Sequence, residues 1–525
     1  MPRGIARGQG KGERQSETAD SLPFSRYGAG VNRFLIALAA GLLSATGFAP
    51  LGLWPLTLAS LAALLALVMR APDWKAAARL GWGFGIGHFV LGLNWIATAF
   101  SYQDAMPVWL GWVAVVLLSL FLALYPAIAT GLAWRFGRGE PLRFALLFAV
   151  AWMVSEWVRG WLFTGFPWNP LGVVLIDQVW LGLAPWIGTL GLSGLAALIP
   201  GVILWLVETR RWRSLAGTMT GLAAIALLPD PSAIAAPAND PVRLHVVQPN
   251  IGQQDKWREG YEGQNFIRLA KLSGRPGGAP RLLLWPEAAL PDYLEEDPLA
   301  RTRVAALLGP EDIVLTGGVA LESDQTGKVT GARNSVFAMD SHGRILTRYD
   351  KAHLVPYGEY LPMRPLLSAI GLSRLVPGDI DFWPGPGPRS IDLPGYGRVG
   401  VQVCYEIIFS GHVVDPENRP RFVFNPSNDA WFGAWGPPQH LAQARLRAAE
   451  EGLPVIRATP TGISAIIDAK GRIVASLPWR EAGIIDKMLP EALPPTLFAS
   501  AGNLLPCMFG LILIVAATWV RRRAW

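Results

Sequence analysis

Gly400-Val401-Gln402-Val403-Cys404-Tyr405-Glu406 is an apolar, strand-like run that ends on a cysteine and a carboxylate. Cys404 is one of two cysteines in the chain; the other is Cys507. Two cysteines cannot build a disulfide framework. Cys507 falls in an uncharged stretch that reads as a membrane span, so Cys404 reads as a free thiol. A strand end is rigid and holds a reacting atom in place. Two upstream segments have the same character, polar chemistry closing an apolar strand. They are Leu282-Leu283-Leu284-Trp285-Pro286-Glu287 and Tyr349-Asp350-Lys351-Ala352-His353-Leu354-Val355-Pro356-Tyr357-Gly358-Glu359-Tyr360-Leu361-Pro362.

Around these segments, from about Asp240 to Glu491, charges, prolines and short apolar runs alternate. Val242–Gln248, Arg281–Trp285, Asp312–Val319, Ser335–Met339, Val399–Val403, Arg421–Phe424 and Ile463–Ile467 are predicted strands. Gln439–Glu451, just after Pro437-Pro438, is a predicted helix. Strands with intervening helices imply a layered α/β domain. Periodicity does not fix its topology.

Outside that domain the texture is different. The 525 residues are 51% apolar and 16% charged, and they include 23 tryptophans. Residues 1–33 are polar and predicted to be disordered and cytoplasmic. The apolar stretch 34–229 is predicted to be a membrane domain of about seven helices. Phe34–Met69 lacks charge and is too long for one crossing of a ~30 Å hydrocarbon layer. The turn Phe48-Ala49-Pro50-Leu51-Gly52 divides it in two. Leu80–Gln103, Pro107–Trp134, Phe144–Phe163, Gln178–Val207 and the shorter Ser214–Leu228 follow. Ala492–Val520 supplies an eighth span within 492–525.

The net charge of +7 is concentrated in clusters beside these spans. Arg70/Lys75/Arg79, Arg135/Arg138/Arg143, Arg210/Arg211/Arg213 and Arg521/Arg522/Arg523 recur at alternate connections, which predicts their cytoplasmic placement and leaves 240–491 outside. That pattern is a topology signal and not a nucleic-acid footprint. No metal-ligand motif or phosphate-cradling glycine loop appears, so no cofactor or metal is expected.

The three strand-end segments resemble the Glu-Lys-Cys set of the nitrilase (carbon-nitrogen hydrolase) superfamily, in chain order and in placement. The resemblance covers roughly 240–490 and implies an αββα sandwich. The surrounding spans and the run Lys351–Pro362 narrow it to the apolipoprotein N-acyltransferase family. The resemblance implies Glu287 as general base, Cys404 as nucleophile, and Lys351 with the Tyr405 N–H as oxyanion donors. It implies a glycerophospholipid acyl donor and a diacylated apolipoprotein acceptor, in a Gram-negative inner membrane with the catalytic domain periplasmic. Glu359 and Glu406 match acidic positions near the thiol. Trp257 and Trp431 resemble positions facing the acyl or lipoprotein site, although an interfacial anchor fits either equally.

Glu156 and Arg159 are charges within a predicted span, which suggests function. Three residues apart on a helix, they can pair. Arg159 is expected near the outer face, as a candidate contact for a phospholipid phosphate. Leu366–Leu375 is apolar yet lies in the outer domain, as a lid or as core. Two other readings stand beside the acyltransferase. One is a membrane-tethered amide or nitrile hydrolase, with water as second nucleophile. The other is a transporter or scaffold, disfavoured by the intact Glu287, Lys351 and Cys404.

Overall fold

The computed structural model describes residues 23–103, 106–226, 240–256, 258–369 and 381–523. Among the described residues nine α-helices precede the first strand: α1 (Pro23–Ala45), α2 (Trp54–Met69), α3 (Trp74–Gly92), α4 (Ile96–Ala99), α5 (Leu110–Leu122), α6 (Leu124–Gly137), α7 (Pro141–Arg159), α8 (Ala184–Glu208) and α9 (Trp212–Ala226). Local chemistry sets several of their starts. Asp73 caps α3 by accepting the Ala76 N–H, and Glu140 does the same for α7 ahead of Pro141.

Among the described residues, three helical stretches are long and apolar enough to cross a membrane: Leu110–Gly137, Pro141–Arg159 and Val179–Glu208. The expected crossing Leu80–Gln103 is broken. α3 stops at Gly92, and the chain resumes at Ile96 with a 49° bend, so the pair is a fourth span only if both halves count as one. Asn94 turns its side chain onto the Leu91 carbonyl at the break, a local bond that competes with helix continuation. Asn32–Ala45, Trp54–Met69 and Leu504–Val520 are shorter apolar helices. Trp109 just before α5, Trp112 and Leu117 on it, and Leu511 and Val515 near the C-terminus face outward. In water so large an apolar surface would be a liability; against lipid it is the stable face.

Among the described residues, two six-stranded sheets follow. The first runs β12 (Gly483–Met488), β1 (Arg243–Gln248), β2 (Leu282–Leu284), β3 (Ile313–Ser323), β4 (Val329–Asp340), β5 (Ile345–Asp350). The second runs β11 (Ile473–Ser476), β10 (Ala465–Ile467), β9 (Val455–Ala458), β8 (Phe422–Pro426), β7 (Gly397–Val401), β6 (Ser390–Leu393). Parallel pairs β1–β2–β3 and β7–β8–β9 form the two centres, and antiparallel strands close the flanks. Leu244, Val246, Leu282 and Leu284 pack in one core with Val399, Val401, Phe422 and Phe424, each such side chain contributing roughly 1.5–3 kcal/mol. The predicted strands are present with shifted ends, and β4 is much longer than Ser335–Met339. β5, β6, β9, β11 and β12 were not predicted. Charged or exposed residues interrupt most of them, as edge strands require.

Short α10 (Gln253–Lys256) precedes α11 (Glu262–Ser273), which with α12 (Pro298–Ala305) covers the first sheet through Leu269, Ala300 and Val304. After α13 (Arg364–Ala369), α14 (Gly436–Glu451) covers the second sheet, and α15 (Leu497–Ala501) and α16 (Leu504–Arg523) end the chain. Layers run helix, sheet, sheet, helix. α14 is buried on two faces. Leu441, Ala444 and Ala448 join the sandwich core, while Ala442, Leu446 and Ala449 join the core of the helical bundle. One helix thus serves as the outer layer of the sandwich and as its seat on the membrane bundle.

Candidate active site

β7 ends at Val401, and three residues later the chain turns sharply at Cys404, whose φ is +52°. That left-handed conformation is unfavourable for a residue with a Cβ and marks an imposed geometry. The thiol lies against the Glu287 carboxylate and the Asn428 backbone N–H. Burial, then the Glu287 charge, pushes the thiol well above its ordinary pKa. The resting thiol keeps its proton and presents it to a carboxylate.

Glu287 follows β2 in a loop pressed against β3. A Cβ on Gly317 would lie 2.6 Å from the Glu287 Cα and 2.5 Å from the Ala288 nitrogen, so only glycine admits this approach. Lys256 Nζ anchors the same loop by donating to the Glu287 carbonyl at 2.9 Å. Burial, partly offset by Glu287 and Cys404, lowers the Lys256 pKa to about 8.

Lys351, at the end of β5, is 1% exposed. Its ammonium lies 2.9 Å from Glu359 Oε1 and 3.4 Å from Glu287 Oε1. Burial opposes the charge, but the two carboxylates outweigh it and raise the Lys351 pKa above its ordinary value. Asn334 of β4 donates one amide to both carboxylates, at 2.7 Å each. Burial would raise the Glu287 pKa, but Lys351, Asn334 and Lys256 together bring it below the usual value. Glu287 is therefore an ionised base beside a protonated thiol, the state that general-base catalysis needs.

Glu406 ties the lysine loop to the cysteine loop. Its Oε1 accepts from the Ala352 and His353 N–H groups at 2.7 and 3.1 Å, and its Oε2 accepts from the Val403 N–H at 2.6 Å. The Tyr349 hydroxyl donates to it as well. Burial still raises its pKa to about 7.

The remaining expected residues fall in different places. Glu359 is inside the cluster. Tyr405 sends its hydroxyl to the Gly165 carbonyl at 3.0 Å. His353 Nε2 donates to the Thr164 carbonyl at 2.8 Å, so both reach a loop of the membrane bundle. Trp431 sits edge-on to Tyr102, 5.8 Å between centroids. Trp257 and the second half of Leu366–Leu375 lie outside the described residues; Leu366 itself is exposed. Arg159 is turned inward instead of standing at a lipid-facing surface. It is 3% exposed, donates to the Trp168 carbonyl at 2.9 Å, packs over Phe89 and stands 4.0 Å from Glu156. A guanidinium among buried groups takes the nearest carbonyl.

Two family models match the chain. The carbon-nitrogen hydrolase model covers residues 243–492, and the apolipoprotein N-acyltransferase N-terminal domain covers 40–202. An apolipoprotein N-acyltransferase of Rhodopseudomonas palustris is 37% identical over 518 residues, 94% of this chain and 96% of that one. The chain belongs to the apolipoprotein N-acyltransferase family. Another member, from Bradyrhizobium diazoefficiens, is 35% identical over 520 residues and covers the same shares. Among solved structures, Saccharomyces cerevisiae Nit3 of the nitrilase superfamily is similar at 19% identity and a TM-score of 0.34, covering 49% of this chain and 93% of Nit3.

Sequence reasoning missed Asn334, Lys256 and Tyr349 around this family site. A lone asparagine in the otherwise apolar run of β4 was the one available signal for Asn334.

Proposed function

We propose that this chain acylates the α-amino group of an N-terminal diacylglyceryl-cysteine on an apolipoprotein, taking the acyl chain from a glycerophospholipid. Glu287 accepts the Cys404 proton as sulfur attacks the ester carbonyl. The oxyanion is met by the Lys351 ammonium and the Tyr405 N–H. Collapse breaks the ester C–O bond, and the departing lysophospholipid oxygen takes the proton back from Glu287. A thioester remains on Cys404. The incoming amine attacks it, gives its proton to Glu287, and the sulfur leaves as a thiolate that recovers that proton. Glu359 holds Lys351, and Glu406 holds the two loops together.

The observation that carries this reading is the buried thiol beside the Glu287 carboxylate, which Lys351 meets at 3.4 Å, in a chain whose apolar helices suit a membrane. We further propose eight spans: the three long stretches, the bent pair, the three shorter apolar helices and α9, at the expected Ser214–Leu228. The basic clusters then lie in the cytoplasm and the domain 240–491 in the periplasm, above the inner membrane. Residues 34–229 form the membrane domain, and 492–525 the last span with its basic tail. The test incubates purified protein with labelled phospholipid and seeks a Cys404 thioester by mass, then adds a diacylated lipopeptide. Thioester followed by transfer is expected. Turnover of small amides without lipid would instead make it a tethered hydrolase, and no adduct at all would refute the acyltransferase chemistry.

A further inference from the structure

His440, on α14, is fully buried, and its Nε2 lies 3.0 Å from the Cys404 carbonyl oxygen. A carbonyl only accepts, so Nε2 carries the proton. Nδ1 then bears a lone pair, and Arg457 Nη2 meets it at 2.9 Å. The same guanidinium donates to both oxygens of Asp429 at 2.6 Å, to Asn425 Oδ1 at 2.5 Å and to Ser427 Oγ at 3.1 Å. Asp429 Oδ1 stands 3.0 Å from Nδ1 and competes for a proton there. Burial, then the Arg457 charge, lowers the His440 pKa and keeps the ring neutral. Asn425 Nδ2 adds a longer bond to the Cys404 carbonyl, 3.4 Å. His440, Asp429, Arg457 and Asn425 are all fully buried.

The Cys404 carbonyl and the Tyr405 N–H are opposite ends of one planar peptide. Fixing the oxygen fixes the direction of the N–H. A donor on the oxygen also polarises the unit, strengthening the N–H by ~10–30%. Cys404 occupies φ +52°, so this peptide does not hold its orientation by backbone preference. Among the described residues the Tyr405 N–H, in the first turn of a short 3-10 helix, has no acceptor within the chain.

We propose that His440, set by Arg457 and Asp429, is a positioning residue that aims the Tyr405 N–H at the oxyanion formed during acyl transfer. This rests on the reading of Cys404 as the acyl-accepting nucleophile, and the wild-type arm of the experiment tests that reading separately. Full-length wild type, H440F, H440Q and H440N are compared in two assays. One is single-turnover thioester formation from a labelled glycerophospholipid in micelles. The other is alkylation of Cys404 by iodoacetamide, which uses the sulfur but no oxyanion site.

In H440F thioester formation falls roughly 10- to 100-fold at saturating lipid, a part of what losing a whole oxyanion donor costs, with the apparent KM little changed. Alkylation stays within about threefold of wild type, because only the acyl step needs the aimed donor. Gln places an amide N–H near the position of Nε2 and restores most of the rate, whereas Asn, whose amide falls near Nδ1, does not. If H440F does not fold, Gln against Asn carries the test. A wild-type rate in H440F or H440N overturns the proposal. So does a parallel fall of alkylation and acylation in H440N and H440Q, which would give His440 a merely structural role. A wild-type protein that forms no thioester instead overturns the underlying reading.

Discussion

Asn334→Asp changes one atom of the site and separates charge from shape. The wild-type amide donates to Glu287 and to Glu359 at 2.7 Å each. Hydrogen bonds to charged groups contribute roughly 1.5–3 kcal/mol apiece. The substitution removes both and adds a third carboxylate beside two existing ones. At ~4 Å and an effective dielectric near 20, each new repulsion is about 4 kcal/mol. Lys351 is the ammonium between Glu287 and Glu359, so the cluster gains net negative charge and one carboxyl takes up a proton. Asn334 is among the groups that hold Glu287 ionised, so its loss leaves less of the base available at neutral pH. Thioester formation at pH 7 is expected to fall about 10- to 100-fold, from ~1.4–2.7 kcal/mol of lost base ionisation. It should recover toward alkaline pH as Glu287 ionises again. The assay is single-turnover acylation from phospholipid between pH 6 and 9, read by intact mass. Asn334→Leu, which loses the bonds without adding charge, should fall less and shift less. A profile for Asn334→Asp that superimposes on wild type would refute the assignment of Glu287 as the base.

Gly317→Ala places a Cβ 2.6 Å from the Glu287 Cα; a displacement near 1 Å is expected to cost about 100-fold in acylation, measured as the thioester rate. Arg159→Ala leaves the Trp168 carbonyl and Glu156 without their buried cation, so thermal unfolding in detergent should show a loss of about 2–4 kcal/mol. Glu406 has its pKa raised from 4.5 to about 7 in the folded chain. A raised acid binds more protons folded than unfolded, so stability falls as pH rises from about 4.5 through 7, by about 3 kcal/mol in total. Glu451, also raised to about 7, titrates over the same window. The apparent melting temperature of Glu406→Gln should therefore decline less steeply between pH 5 and 8 than that of wild type, though not become flat.

Glu287, Lys351 and Cys404 each close a hydrophobic run, a pattern visible one residue at a time, and the fold brings the three into one cluster. Glu359 and Glu406 were legible as acidic neighbours but not as distinct devices, one pairing an ammonium and the other gripping three main-chain N–H groups. That difference arises from loop conformation, which has no periodicity to read. Arg159 was visible as a buried-span charge, yet its inward direction depends on Trp168, nine residues away across a turn. The break after Gly92 was hidden because an uncharged run does not distinguish a straight helix from a bent pair. Arg457 carried a signal that went unused. An arginine in Val455-Ile456-Arg457-Ala458, between residues of a buried strand, must have partners, and those are Asp429, Asn425 and Ser427.

The reacting loops are bonded to the membrane bundle. His353, two residues past Lys351, donates to the Thr164 carbonyl, and Tyr405, next to Cys404, donates to the Gly165 carbonyl. Arg159 holds the far end of the same loop at Trp168, whose indole donates to Gln439 at 2.8 Å. Gln439 precedes His440 and reaches the Ala49 and Gly92 carbonyls at 3.1 and 3.2 Å. Phe163, at the tip of that loop, is 74% exposed and packs edge-on against Phe121 of α5. A water-facing hydrolase has no need of such ties, since its substrate arrives from bulk solvent. A donor that resides in a leaflet must be met at a fixed height, and a nucleophile misplaced by ~1 Å loses about two orders of magnitude. Anchoring the lysine and cysteine loops to the helices that set this height gives the membrane domain a part in the geometry of the chemistry.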